Sequence, residues 1–184
     1  MPNWCNNTAT FYGSKEQLDA LKNAEDGNIL NVIIPCPPEL NNSELTTSYG
    51  DEEKQKVVEQ LKAQARKKYG YESWYDWNVA NWGTKWDVNA EFVEEGDGWI
   101  TFTFDSAWSP PINAYNAAQE QGIKVDAMYY EPGMNFCGRY LDGYDDTYEI
   151  PPTGDETREQ IPEEINEYFG IAEEQDNWAE ENEE

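Results

Sequence analysis

The sequence contains no histidine, and its 12 lysine and arginine residues are outnumbered by 38 aspartate and glutamate residues. Histidine is the commonest general acid or base near neutral pH, so its absence weakens every enzymatic interpretation without excluding carboxylate chemistry. The formal net charge of −26 excludes ordinary nucleic-acid binding through phosphates, which requires cationic side chains. It also disfavours an anionic membrane surface. We therefore expect a non-enzymatic protein whose partner is basic.

Cysteine and long apolar runs are scarce as well. Cys5, Cys36 and Cys137 lack metal-binding spacing, and without histidine a zinc site is not expected. The prediction is three buried free thiols, with no metal and no other cofactor. No apolar run approaches the roughly 20 residues of a membrane span. Because residues 1–5 lack the basic and apolar regions of a signal peptide, we expect a cytoplasmic protein.

Aromatic residues, in contrast, make up 14% of the chain and include eight tryptophans. Large rings bury much area per residue, so 184 residues with this composition can form one domain with a real core. The charge is uneven along the chain. Residues 1–85 carry 12 acidic and 9 basic side chains, whereas residues 86–184 carry 26 and 3. The segment 81–86, with the sequence NWGTKW, joins the two parts.

Periodicity predicts the elements of an α+β domain. Residues 6–12 alternate as a strand, and Ser14 with Gln17 forms a capping box for a helix. Residues 51–69 have helical periodicity. The clearest prediction is a hairpin in which Val88, Ala90 and Phe92 alternate on one strand and residues 100–104 on the other.

The second part of the chain continues this alternation. Ser109 is expected to cap a helix that runs to Gly122, and strands are predicted at 125–129, 136–141 and 144–150. Without residues 27–82, the order is strand, helix, strand, strand, helix, strand, which is the ferredoxin-like split β-α-β order of an antiparallel sheet. We therefore predict a ferredoxin-like domain over residues 1–150, with 27–82 as a helical, Trp-rich insertion.

Five short motifs follow one another along residues 1–140. They are PNWCN at 2–6, NWGTKW at 81–86, AWSPP at 107–111, YEPG at 130–133 and FCG at 136–138. Together they resemble the YubB-type ferredoxin-like domain family of phages and plasmids, whose function is unknown. The resemblance implies the fold and an origin in a mobile element, but no catalytic residues. Residues after about 142 lie outside the matching pattern.

Residues 151–184 are predicted to form an acidic C-terminal helix and tail. Residues 154–184 carry 13 acidic side chains against Arg158. Apolar side chains nevertheless recur at helical spacing in this segment, at Ile161, Ile165, Tyr168, Phe169 and Ala172. A wholly solvated tail would not need such a stripe. We expect a helix docked on the body with its carboxylates outward, and a mobile tail from Glu173.

The excess of acid has two interpretations, general solubility and a specific partner. Solubility needs a net charge of only about 2–8 in a small domain, and like charges destabilise the compact state. We therefore expect a phage- or plasmid-encoded inhibitor that imitates the phosphates of a nucleic acid. Its partner would be a basic, nucleic-acid-binding host protein with a defence role, met in the host cytoplasm. The candidate contacts are Asp142, Asp145, Asp146, Asp155, Glu156, Glu159, Glu163, Glu164, Glu167, Glu173 and Glu174.

The alternative function is binding of a small ligand, with a nucleotide as one example. Its candidate residues are Trp82, Lys85, Trp86 and Trp108, because indole rings stack on flat ligands and a lysine attracts a phosphate. A structural interpretation is open as well. The tryptophans would then pack the core, and Lys85 would pair with a carboxylate such as Asp87 or Asp105.

Overall fold

The computed structural model describes residues 3–47 and 50–182. These residues form a mixed α+β fold around one six-stranded antiparallel sheet, so the α+β prediction is confirmed. The strand order is β2-β3-β1-β4-β5-β6, with β1 paired to both β3 and β4. The strands are β1 (Trp4–Tyr12), β2 (Glu91–Gly96), β3 (Trp99–Ala107), β4 (Lys124–Glu131), β5 (Phe136–Leu141) and β6 (Tyr144–Glu149).

Helices precede, separate and follow these strands. Ser14 and Gln17 form the predicted capping box of the first helix, and Asp51 caps the third by accepting from the N–H groups of Glu53 and Lys54. The predicted insertion, residues 27–82, contains the second, third and fourth helices. The α-helices are α1 (Lys15–Lys22), α2 (Ile29–Ile33), α3 (Glu52–Tyr69), α4 (Trp74–Asn81), α5 (Ile112–Glu120), α6 (Gly154–Gln160), α7 (Glu163–Phe169) and α8 (Ile171–Asn182).

The first face of the sheet is the one to which the odd-numbered side chains of β1 point. Ala9 and Phe11 are fully buried there, because α1, α2, α4 and α5 pack over this face in one large core. Tyr115 of α5 meets Phe11 edge to face at 6.3 Å. Burying one such ring stabilises the fold by about 1.5–3 kcal/mol. Helices α1 and α5, which follow β1 and β3, therefore cover the same face of the sheet.

The second face, to which Thr8 and Thr10 of β1 point, is covered over β4 and β5 by α6–α8. Ile161, Ile165 and Ile171 are buried there in a smaller, separate core with residues of β5 and the chain after β6. The predicted docking of the C-terminal segment on the body is therefore confirmed.

A single C-terminal helix is not what the structure shows. Pro162, which has no N–H to donate, separates α6 from α7. Gly170 adopts the left-handed conformation, with φ 65°, and ends α7. The tail expected from Glu173 is also wrong, because α8 remains helical to Asn182.

Strand β2 is shorter at its start than the alternation of Val88, Ala90 and Phe92 predicts. It begins at Glu91, because the chain before it packs on the helical layer instead of pairing with β3. Val88 is buried in the first core, and the N–H of Ala90 donates to the carbonyl of Gly27 at 3.0 Å.

Three smaller observations complete the fold. Cys5, Cys36 and Cys137 are free and buried, as predicted. Among residues 3–47 and 50–182, no helix has both the length and the hydropathy for a membrane span. The same residues contain no group of acidic and thiol side chains arranged to hold a metal ion.

Candidate functional site

The three C-terminal helices are fastened to one another by buried polar contacts. The hydroxyl of Thr157, fully buried in α6, donates to Gln175 Oε1 of α8 at 2.8 Å. Gln175 Nε2 donates to the carbonyl of Pro151 at 2.6 Å. Gly154 lets the two helices approach closely, since a Cβ atom there would lie 2.8 Å from the carbonyl oxygen of Ala172. These helices therefore form one fixed unit.

Arg139 on β5 ties this unit to the sheet. Its guanidinium donates to both carboxylate oxygens of Asp126 at 2.9 and 2.8 Å, and to Glu164 of α7 at 2.5 Å. A bidentate arginine–carboxylate pair fixes geometry as well as charge. Of the candidate contacts, Glu164 is therefore partly neutralised, and it serves to position α7.

Other candidate acids of α6–α8 have partners within the fold. Asp155 lies 3.5 Å from Arg158, whose guanidinium also donates to Asp176 at 2.5 Å. Glu156 accepts from the hydroxyl of Thr153, and Glu174 accepts from the hydroxyl of Tyr130. The remaining candidates on these helices have exposed side chains, and their carboxylates make no hydrogen bond or ion pair with another described residue. They are Glu159, Glu163, Glu167 and Glu173.

The β5–β6 hairpin divides its candidate acids between the two faces. Asp145 turns to the first face, where it accepts from the hydroxyl of Tyr129 at 2.6 Å. Asp146 lies opposite Arg139 on the second face, the side on which α6–α8 dock. Asp142 occupies the turn, with φ 49°. The structure thus places Asp146 on the face where the acidic helices dock, and Asp145 on the other face.

Trp82 does not belong with the other alternative site residues. It is 4% exposed, meets Trp77 edge to face at 5.5 Å, and donates from Nε1 to the carbonyl of Ile34 at 3.0 Å. Placing Trp82 in a ligand pocket is therefore wrong. The indole is large and mostly apolar, and it packs with Trp77 in the first core.

Lys85, Trp86 and Trp108 do come together at the surface. The Lys85 ammonium lies 4.2 Å from the ring centre of Trp86 and 5.6 Å from that of Trp108. Two residues that the sequence did not indicate complete the cluster. Tyr75 lies 5.8 Å from the ammonium, and Trp4 lies 6.1 Å from Trp86. We call these five residues the aromatic cluster.

Two loops, one after α4 and one after β3, meet at one end of the sheet and hold Lys85, Trp86 and Trp108. The hydroxyl of Thr84 donates to the carbonyl of Ala107 and accepts from its N–H, both at 3.0 Å. Ser109, predicted to cap α5, instead donates from its hydroxyl to the carbonyl of Gly83 at 2.9 Å. Helix α5 begins after Pro111 with no side-chain cap. Because the Ser109 hydroxyl takes part in this contact between the loops, it does not cap α5.

A groove of about 530 Å³ runs from Trp4 across the open half of the second face to Tyr168 of α7. Its polar lining includes Asp87, whose carboxylate accepts from the N–H groups of Leu30 and Asn31. Burial raises the pKa of Asp87 to about 6, against backbone hydrogen bonds that lower it. The groove joins the acidic helices to the aromatic cluster along one side of the molecule.

Comparison with known proteins assigns no family to this chain. No family model matches the chain, and no curated protein matches it. Among solved structures, it is similar to the crystal structure of protein api92 from Yersinia pseudotuberculosis, which is described by the family name DUF1281. The two share 11% identity over 82% of this chain and 99% of that one, with a TM-score of 0.43. A likeness of this size assigns neither a family nor a function.

Proposed function

We propose that this protein is a non-enzymatic inhibitor whose acidic second-face surface occupies the basic groove of a nucleic-acid-binding protein. The observation that carries the proposal is the docking of α6–α8 through a buried apolar core. Docking fixes carboxylates on a surface, although their mutual repulsion would be relieved if the segment were detached. A charged segment that serves only solubility does not need to be folded against the body.

The arrangement of the unpartnered acids suits a polyanion mimic. Glu163 and Glu167 are one helical turn apart on α7, about 6 Å along the axis at 1.5 Å per residue. Duplex DNA presents one charge per about 1.7 Å of axis, so several helices and the hairpin residue Asp146 must contribute together. The two arginines on this side, Arg139 and Arg158, are both engaged in internal ion pairs. Neither arginine therefore neutralises the exposed carboxylates, and the electrostatic field at this surface is negative.

An exposed tryptophan gives this surface an anchor as well as charge. Trp178 of α8 is 68% exposed and lines a groove with Glu173, Glu174 and Glu181. Aromatic rings beside carboxylates suit arginine and lysine side chains through cation–π contact, worth about 0.5–2 kcal/mol. Exposed tryptophans are also common among the residues that dominate binding energy at interfaces.

The proposal also includes a ferredoxin-like fold, an origin in a mobile element and a defence protein as the partner. The sheet order β2-β3-β1-β4, with α1 and α5 over one face, supports a ferredoxin-like split β-α-β domain extended by β5 and β6. With the motif resemblance, it supports an origin in a phage or plasmid and action in the host cytoplasm on a defence protein. Direct binding of nucleic acid is not part of the proposal, because the charge has the wrong sign.

Capture from host lysate at low salt, followed by elution with duplex DNA, tests the proposal. Mimicry predicts that a basic nucleic-acid-binding protein is retained near 0.05 M salt and released by DNA or by about 0.5 M salt. A variant with Glu159, Glu163, Glu167 and Glu173 changed to glutamine should lose this protein. The matched control also changes four glutamates to glutamine, but on the helical layer of the first face: Glu16, Glu25, Glu44 and Glu120. Retention by the first variant, or a captured protein that DNA does not release, would contradict the proposal.

A further inference from the structure

The aromatic cluster is preorganised at a cost to the fold. Trp4, Tyr75, Trp86 and Trp108 are each 38–45% exposed, so four large rings are held partly in solvent. Trp108 has φ 70°, a left-handed conformation that is a genuine outlier for a bulky residue. The hydrogen bond from its N–H to the carbonyl of Asn3, at 2.9 Å, helps to hold it there. Such strain of order 1–3 kcal/mol persists where the surrounding structure imposes it, and it concentrates at functional sites.

Lys85 lies among these rings without an acidic partner in the described part of the chain. The two carboxylates expected to pair with it are engaged elsewhere. Asp87 accepts from the backbone of α2, and Asp105 accepts from Asn6 Nδ2 at 2.6 Å. In a protein with 38 acidic residues, a lysine held between indoles and away from carboxylates keeps its ammonium donors available to a ligand.

The chemistry of the cluster defines the ligand. Indole faces stack on a planar ring, and an unpaired ammonium beside them binds an anionic group attached to that ring. We propose that the aromatic cluster is a binding site for a free nucleotide, with the base stacked on Trp86 or Trp108 and the phosphate on Lys85. This site shares no residue with the acidic surface of α6–α8 and goes beyond the proposed inhibitor function.

The charge of the whole protein sets the salt dependence of this site. The field of −26 charges repels a phosphate at long range, whereas the contact with Lys85 acts at short range. Salt screens charges that are more than about 10 Å apart at 0.1 M. Nucleotide binding should therefore be maintained or strengthened by added salt, whereas the salt dependence of the basic partner has the opposite sign.

The test follows the indole N–H signals in ¹H–¹⁵N spectra during titration with adenosine monophosphate up to about 10 mM, beyond a millimolar Kd. We expect the signals of Trp4, Trp86 and Trp108 to shift, and those of the core residues Trp77 and Trp82 to stay. Adenosine should bind at least fivefold more weakly, and inorganic phosphate should not move the indoles. A single-stranded tetranucleotide should bind more weakly than the monophosphate, because its added phosphates meet the acidic surface.

Single substitutions test whether Lys85 binds the phosphate and whether Trp86 stacks on the base. Lys85→Gln should abolish the preference for adenosine monophosphate over adenosine, and Lys85→Arg should keep it. The matched control is Lys124→Gln, which removes an exposed lysine of β4 outside the cluster. Trp86→Ala should weaken both ligands at least tenfold, whereas Trp178→Ala, an exposed tryptophan of α8, should weaken neither.

Three results would overturn the inference. The first is that the three indole signals do not move with adenosine monophosphate. The second is that Lys85→Gln leaves the preference for the monophosphate intact. The third is that the tetranucleotide or the captured basic protein shifts these indoles and the mononucleotide does not, which would make the cluster a macromolecular contact. The first two results leave the acidic-surface proposal untouched, because it rests on α6–α8, and the third would add the cluster to the surface that contacts the basic partner.

Discussion

The two faces of the sheet are covered in different ways. The first face carries a large core in which rings such as Phe11 and Tyr115 meet residues of α1, α2 and α5. The second face is covered over β4 and β5 only, by a small core of isoleucines under α6–α8. The first covering comes mainly from the nearly neutral part of the chain, and the second from a segment with 13 acidic residues and one arginine.

This difference indicates a division of labour. The first core is large enough to define the fold, whereas the second holds charged helices in place against their own repulsion. Helices with few buried contacts and high charge density belong to the low-stability end of a structure. We therefore expect the acidic cover to open before the body unfolds, and the following changes test this comparison.

The largest effect is expected from Phe11→Ala in the first core. Truncating a fully buried phenylalanine costs about 3–5 kcal/mol, because the removed ring leaves a cavity. Chemical denaturation should show this loss as one cooperative shift of the whole protein. Phe92→Ala is the control, because Phe92 is half exposed and should cost much less.

Ile165→Ala should act on the second core alone. The change costs about 2–5 kcal/mol, but the loss should be confined to α6–α8. Hydrogen exchange should show amides of residues 154–182 losing protection while those of β1 and β4 keep theirs. Uniform loss across the sheet would show that the two coverings form one cooperative unit. Val57→Ala, at a 53% exposed position, is the control.

Asp87 makes the helical layer of the first face sensitive to pH. The pKa of Asp87 is about 6 in the folded protein, above the ordinary aspartate value of 3.8, mainly because of burial. The folded state therefore binds more protons between pH 4 and 6, and the free energy of unfolding falls as pH rises through this range, by at most about 3 kcal/mol. Asp87→Asn should remove this part of the pH profile. An Asp87 carboxyl signal that titrates near pH 4 would contradict the assignment.

The smallest of these effects is expected from Arg139, which joins the second covering to the sheet through Glu164 of α7 and Asp126 of β4. Arg139→Met removes charged hydrogen bonds but keeps an apolar stem on the sheet. Because Arg139 and Glu164 are partly exposed, the loss should be about 1 kcal/mol and should appear in the protection of α7. A change as large as that of Ile165→Ala would show that the ion pairs, rather than the apolar core, dock the helices.

The sequence predicted more of the fold than of the site. Alternation along β1 and β3, the capping box at Ser14 and the apolar stripe through Ile165 are local patterns, and each of them corresponds to an element or contact of the structure. Pro162 separates α6 from α7, but the sequence alone did not predict this break, because a proline also fits the first turn of a longer helix. The choice between these depends on packing.

Long-range proximity was beyond the sequence. Trp4, Tyr75 and Trp108 are far apart along the chain and meet only because the start of β1, helix α4 and the loop after β3 come together at one end of the sheet. Trp82 and Trp86 lie in the same motif, yet one is buried and the other exposed. Their separation depends on how the chain turns after α4, where Gly83 takes φ 86°. Residue type alone did not distinguish the core indole from the surface indole.

The most direct test of the central claim is the salt dependence of binding between this protein and its captured partner. We predict that the logarithm of the association constant falls linearly with the logarithm of salt concentration. Changing Glu159, Glu163, Glu167 and Glu173 to glutamine should reduce this slope, and the equal change at Glu16, Glu25, Glu44 and Glu120 should leave it unaltered. Equal slopes for the two variants would show that the charge acts as a uniform field, and that the docked acidic surface is not the binding site.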